Sequence, residues 1–313
     1  MIWLTWRQHR RAALFTLLGL AALAAFLIPT GLGMHRAYDR DVAECARRAG
    51  TGLLLPPGMQ CPAVASFEAE YKPYIVIVAL FMALPLLVGL FWGAPLVAAE
   101  VDQGTHRLAW TQGISRTRWL VVKLSLVLGF ALAVGAAYAA LLNWWVEPIA
   151  RANGERFAFP AFDVAGVVPV AYTMFAVALG LGAGTLWRRL QPTVATLLVV
   201  YIAVRTAVTT LARPNYRAPV TADLPASAGS DGNVTAGNWL LSDQVRDAAG
   251  RTLLRNGWID CDTPAGCPAG VHNWASYQPA DRFWPFQYVE AGIFLALAAL
   301  LLWLAATRLR RLA

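Results

Sequence analysis

Six predominantly apolar runs, each of twenty residues or more, dominate this chain: Ala12–Leu32, Pro73–Ala99, Trp119–Val146, Val164–Trp187, Pro192–Leu211 and Phe286–Thr307. About twenty residues at 1.5 Å rise cross a hydrocarbon core of roughly 30 Å. Inside lipid every backbone donor and acceptor must be satisfied within the protein, which leaves helices or closed barrels. Continuous rather than alternating apolarity selects helices. At 58% hydrophobic and 14% charged residues, the chain is also too apolar for an ordinary soluble domain. The expected fold is an all-α membrane protein with six transmembrane helices.

Charge sets the orientation. With the N-terminus inside, the inner segments hold Arg7, Arg10, Arg11, Arg107, Arg116, Arg118, Lys123, Arg188, Arg189, Arg308, Arg310 and Arg311 against only Glu100 and Asp102. The three outer loops hold thirteen cations and fifteen anions. Short basic connectors stay cytoplasmic, so both termini are expected inside. The net charge of +8 follows from this asymmetry, and no nucleic-acid partner is needed to explain it. Met1–Arg11, with Trp3 and Trp6 before a basic cluster, reads as a short interfacial helix. A cleavable leader is the competing reading, because basic residues precede an Ala-rich core.

All four cysteines fall on the outer side, Cys45 and Cys61 in the loop 34–72, Cys261 and Cys267 in the long loop 212–285. Such placement suggests two disulfides, with pairing inside each loop the simplest connectivity. Free thiols are the plain alternative, and a metal site with His272 a third. In the long loop, Trp239–Asp247, a Gly250 turn and Arg251–Arg255 suggest a hairpin within a small extracytoplasmic domain. The Asn233-Val234-Thr235 sequon is too short a pattern to weigh.

Small residues crowd the third run (Gly129, Gly135, Ala136, Ala137) and the fourth (Gly180, Gly182, Gly184). They let helices approach closely in lipid, so these two are expected to face protein. Pro85 and Pro95 interrupt the second run, as kinks or as packing features. Arg205 lies inside the fifth run, where a lone cation costs roughly 2.5–3.5 kcal/mol and calls for a partner. Glu290 is at comparable depth in the sixth run, and Glu147 at the end of the third is a second candidate. The pair reads either as a gate or as a structural ion pair.

Between the second and third runs lies a polar inner connector, residues 100–118. Its order is Glu100, Gly104-Thr105, Arg107, Trp110-Thr111, Ser115-Arg116, then Lys123. Gly104 and Gly113 bracket a short helix that Thr105 can cap, and Arg107 and Trp110 suit a partner groove. This pattern resembles the loop between helices two and three of ABC-2-type exporter permeases, and the Gly180–Pro192 and Tyr277–Gln287 regions loosely resemble actinobacterial members. The resemblance implies an elbow helix over residues 1–11, transmembrane helices one to five within 12–211, an extracytoplasmic loop domain over 212–285, and a sixth helix with a basic tail over 286–313. It further implies that Glu100, Gly104, Thr105, Arg107, Trp110, Thr111, Ser115 and Arg116 couple to a separate ATP-binding subunit. A second permease copy or homologue and membrane lipid complete the implied assembly, in a bacterial plasma membrane.

ATP and Mg²⁺ are expected in the partner alone. A phosphate-binding loop ends in Gly-Lys-Ser/Thr, whereas the two lysines, Lys72 and Lys123, follow Tyr71 and Val122. No zinc-protease helix and no serine-nucleophile elbow occurs either, so the chain itself is not expected to be an enzyme or to hold a cofactor or metal. A membrane sensor or assembly protein acting through its outer loops is the rival reading. A secondary transporter is weaker, lacking clear repeats and a midplane carboxylate.

Overall fold

The computed structural model describes residues 2–48, 62–71, 73–96, 116–153, 156–157, 159–226, 237–259 and 269–311. Among the described residues six helices are long and apolar enough to cross a membrane: Arg10–Val42, Val76–Leu96, Leu124–Ala152, Val168–Trp187, Leu190–Asn215 and Ala280–Arg308. They match the six apolar runs one for one and are called here the first to sixth spans.

Helix ends depart from the runs for a physical reason. Hydropathy marks where the surroundings stop being apolar, whereas a helix continues until a residue breaks it. The first helix is unbroken from Ile2 to Ala37 and goes on through a π turn, Tyr38–Val42, into Ala43–Arg48. No Gly or Pro separates residues 1–11 from the span, so the separate elbow helix expected there is continuous with it. The third helix likewise runs from Arg116 to Asn153, past the apolar stretch at both ends.

The fourth span is the hub. Of its apolar window 72% is buried, against 11% for the first and fifth spans and 33% for the third. The expectation of two protein-facing helices therefore holds for the fourth and only in part for the third. Close backbone approach explains the fourth. A Cβ on Gly93 would lie 2.6 Å from the Val177 carbonyl oxygen, and one on Gly180 2.7 Å from the Ala94 nitrogen. The second and fourth spans thus touch backbone to backbone, where dispersion rather than the hydrophobic effect holds helices together.

The first span is held by polar bonds as well as packing. The Trp92 indole donates to Thr16 Oγ1 and the Trp145 indole to Thr30 Oγ1, both at 2.9 Å. Each bond satisfies a buried indole N–H that would otherwise lack a partner in an apolar layer. At the end of this span, Tyr38 and Val42 pack on Phe67 of the helix Pro62–Tyr71.

A four-stranded antiparallel sheet departs from the all-α expectation. Its strands are β1 (Val220–Pro225), β2 (Trp239–Arg246), β3 (Thr252–Arg255) and β4 (His272–Gln278), in the order β1-β4-β2-β3. The β2–β3 hairpin is the one foreseen. Its turn is built by Asp247, whose Oδ1 accepts from the Ala249 and Arg251 amides at 2.9 Å while Gly250 takes φ +77°. β4, one of the two inner strands, pairs with both neighbours, Val220 opposite Tyr277 and Trp239 opposite Gln278. It went unforeseen because His272–Gln278 alternates weakly and carries few β-branched residues.

The sheet forms a lobe seated on one end of the bundle. Gln278 Nε2 donates to the Pro214 and Arg217 carbonyls, and Arg282 to the Ala218 carbonyl. Between lobe and spans lies an aromatic layer. Phe157 stacks on Phe162 and Trp239, at 5.8 Å each, and meets Phe283 and Phe286 edge-on.

Candidate functional site: a buried ionic cluster beneath the sheet

The connector before the fourth span is folded by its neighbours' amides. Ala161–Val164 makes one helical turn, Ala165 is extended, and Gly166 has φ +68°. The Asn143 side chain accepts from the Gly166 amide and donates to its carbonyl. Gln287 Oε1 accepts from the Val167 and Val168 amides at 3.1 Å, while its Nε2 donates to the Phe162 carbonyl at 3.0 Å. These bonds satisfy the orphan donors at the start of the fourth span. They also aim Asp163 inward, under the aromatic layer.

Four charged side chains meet there. Asp163 accepts from Arg205 at 2.9 Å and from Arg213 at 2.7 Å. Glu290 accepts from Arg213 Nε at 2.8 Å and Nη2 at 2.7 Å, a two-pronged fit between guanidinium and carboxylate. The Tyr172 hydroxyl lies within reach of both carboxylates, 3.0 Å from Asp163 and closer still to Glu290. Tyr216 adds a donor to Glu290 at 3.1 Å. Arg205 also reaches the Met82 carbonyl at 3.3 Å and lies 4.1 Å over the Tyr172 ring. Arg213 lies 4.2 Å over Phe162. Two arginines against two carboxylates leave no net charge, which is what a dry site tolerates.

Helix geometry explains how Arg205 and Arg213 share the site. Eight residues of unbroken α-helix would set them about 80° apart around the axis. A π turn at Val208–Ala212 absorbs one residue and brings them within about 20°. Burial by itself would raise the Asp163 pKa, but the Arg213 and Arg205 charges and the bonds they donate outweigh it. The carboxyl is held below its ordinary value of 3.8.

The expected Arg205–Glu290 pairing is redistributed. Both residues are in the cluster, but Arg205 bonds Asp163 and Glu290 bonds Arg213. Glu147, the other candidate, pairs with Arg151 one turn along its own helix. Asp163 and Arg213 were missed because they lie just outside the apolar runs, where charge is read as solvated. The detectable signal was a single buried Arg that needed more than one acceptor.

Glu100, Gly104, Thr105, Arg107, Trp110, Thr111 and Ser115 lie outside the described residues, and Arg116 is described only as the first residue of its helix. Cys61, Cys261 and Cys267 lie outside them too, and of Cys45 only the helical backbone is described. Among the described residues no group of three His, Cys, Asp or Glu side chains is placed to hold a metal ion.

One comparison with known proteins covers five of the six spans. The sequence model of the family described as ABC-2 membrane transporter related matches residues 17–213, more than half of the chain. The chain belongs to this family. Among curated proteins and solved structures no match was found. As an ABC-2-type permease it is a multi-pass membrane protein and a permease component of an ABC transporter, a class of machine that includes an ATP-binding partner. The matched region ends at Arg213, so it contains Asp163, Tyr172 and Arg205, whereas the sheet and Glu290 lie beyond it.

Proposed function

We propose that the chain is the membrane-spanning subunit of an ATP-driven exporter, paired with a second permease copy or homologue and driven by a separate ATP-binding subunit. The family match across residues 17–213 carries this reading. Both termini and the connector 100–118 face the cytoplasm, and the sheet lobe faces the opposite side of a bacterial plasma membrane. There Cys45–Cys61 and Cys261–Cys267 form disulfides. ATP and Mg²⁺ bind the partner, and this chain hydrolyses nothing.

The fold supports a route for the force. The connector follows the second span, Val76–Leu96, and leads into the helix Arg116–Asn153. Closure of the ATP-binding subunits would push on Glu100, Gly104, Thr105, Arg107, Trp110, Thr111, Ser115 and Arg116, and so on the second and third spans. The backbone contact at Gly93 and Gly180 passes that motion to the fourth span. The ionic cluster joins the fourth, fifth and sixth spans into one unit on which the lobe is seated, so these spans would rock together between inward- and outward-open states. Substrate, of the lipid, drug or peptide class, would pass between two permeases along the second and fifth spans.

The test is a pull-down in mild detergent, comparing wild type with Gly104→Pro and Arg107→Glu. An ATP-binding subunit should co-purify with wild type and be lost from both variants at equal expression. Absence of any ATPase from the wild-type preparation would remove the exporter reading. The outer loops would then become the place to look for a sensor or assembly role.

A further inference from the structure

A cavity of about 310 Å³ opens between the third and sixth spans at the lobe end. We propose that it holds the headgroup of one phospholipid, with Arg156 on the phosphate and Glu147 facing an ammonium. Depth is the first observation. Trp144 and Trp284 line the cavity, and Trp284 stacks on exposed Tyr288 at 5.9 Å, which is the aromatic signature of the headgroup layer.

Charge is the second observation. Arg151, Arg205 and Arg213 each hold a carboxylate, but Arg156, exposed on the cavity wall, has no ion pair or hydrogen bond among the described residues. An unpaired guanidinium presents a planar fork suited to phosphate. The other polar lining groups are differently placed. The Asn143 amide is spent in both directions on Gly166, and Glu147 gives Oε1 to Arg151, leaving Oε2 for a cation. Ala150, Ala161 and Ala165 make the room, and Val146 and Phe283 offer apolar wall to the glycerol end.

The inference does not depend on the exporter reading, because its readout is lipid retained rather than ATP turned over. The intact protein is reconstituted in vesicles of mixed ethanolamine and glycerol phospholipids, extracted and delipidated. Bound lipid is then counted by native mass spectrometry. Wild type should keep one phospholipid, enriched in the ethanolamine class. Arg156→Gln should lower occupancy about tenfold, the worth of one charged hydrogen bond, and Arg156→Lys should restore part of it. Ala150→Phe, which fills the cavity without touching the charge, should lose the lipid as well. Equal retention by wild type and Arg156→Gln would overturn the assignment. Displacement of the lipid by millimolar inorganic phosphate would also overturn it, in favour of a free-phosphate site.

Discussion

At the scale of single residues, the cluster is the feature most sensitive to change. Removing one member strands a charge that no water can reach, whereas removing a matched pair does not. Arg213→Met leaves Asp163 and Glu290 with Arg205 alone and should cost about 3–5 kcal/mol, the usual penalty for breaking a buried pair. The double variant Arg213→Met with Glu290→Leu should recover a good part of that. Thermal unfolding in detergent, arranged as a double-mutant cycle, checks both values. Acid acts on the same site. Because the folded Asp163 pKa lies below 3.8, its stabilisation is fully present above that value and lost as pH falls through the folded one. Stability should therefore hold from neutral pH to about pH 5 in this respect and decline below pH 4. Asp163→Asn should flatten the decline, starting from a lower plateau.

At the scale of elements, glycines separate contact from tolerance. Gly166 has φ +68°, and a Cβ there would lie 2.3 Å from Gln287 Oε1. Gly166→Ala should destabilise by about 2 kcal/mol, through strain and the lost splint together. Gly180→Ala drives a Cβ into the second span and should loosen the second–fourth contact, read as faster proteolysis of that pair. Gly129, in the third span, has nothing within 4 Å of its virtual Cβ. Gly129→Ala should be neutral or gain about 0.5 kcal/mol of helix propensity. If Gly180→Ala behaves like Gly129→Ala, close packing is not what places the fourth span at the hub. The hairpin turn follows the same local logic. Asp247 is held below its ordinary pKa chiefly by the bond from the Arg251 amide, so its turn is built for neutral pH.

At the scale of the whole molecule, two halves have different characters. The fourth, fifth and sixth spans share one ionic cluster, and the lobe joins their aromatic core through Trp239. The first span is attached by two indole–threonine bonds, by the His35 ring on Trp144 and by side-chain packing, and most of its apolar surface is open. Motion driven from the connector should therefore appear between these groups rather than within the second. Spin labels on the first and sixth spans should change separation on nucleotide binding by the assembled transporter. A pair on the fourth and sixth spans should not.

Sequence alone determined the number of spans, their order and the family. Twenty apolar residues in a row have few alternatives in lipid, and a polar connector between two such runs is conspicuous. Small residues marked the third and fourth spans alike as protein-facing, and only packing separated the fourth, 72% buried, from the third, 33% buried. Other outcomes depended on residues distant in the chain. Asp163 and Arg213 looked like solvated loop charges until Gln287 and Asn143 folded the connector inward and a π turn rotated the fifth helix. β4 carries a weak strand pattern of its own, and becomes a strand because β1 and β2 offer it backbone partners on both sides. The first and third helices, too, extend beyond their apolar runs, because hydropathy reports solvent while backbone bonds report continuity. Burial of a charge is a property of what surrounds it, and only the tertiary structure supplies the surroundings.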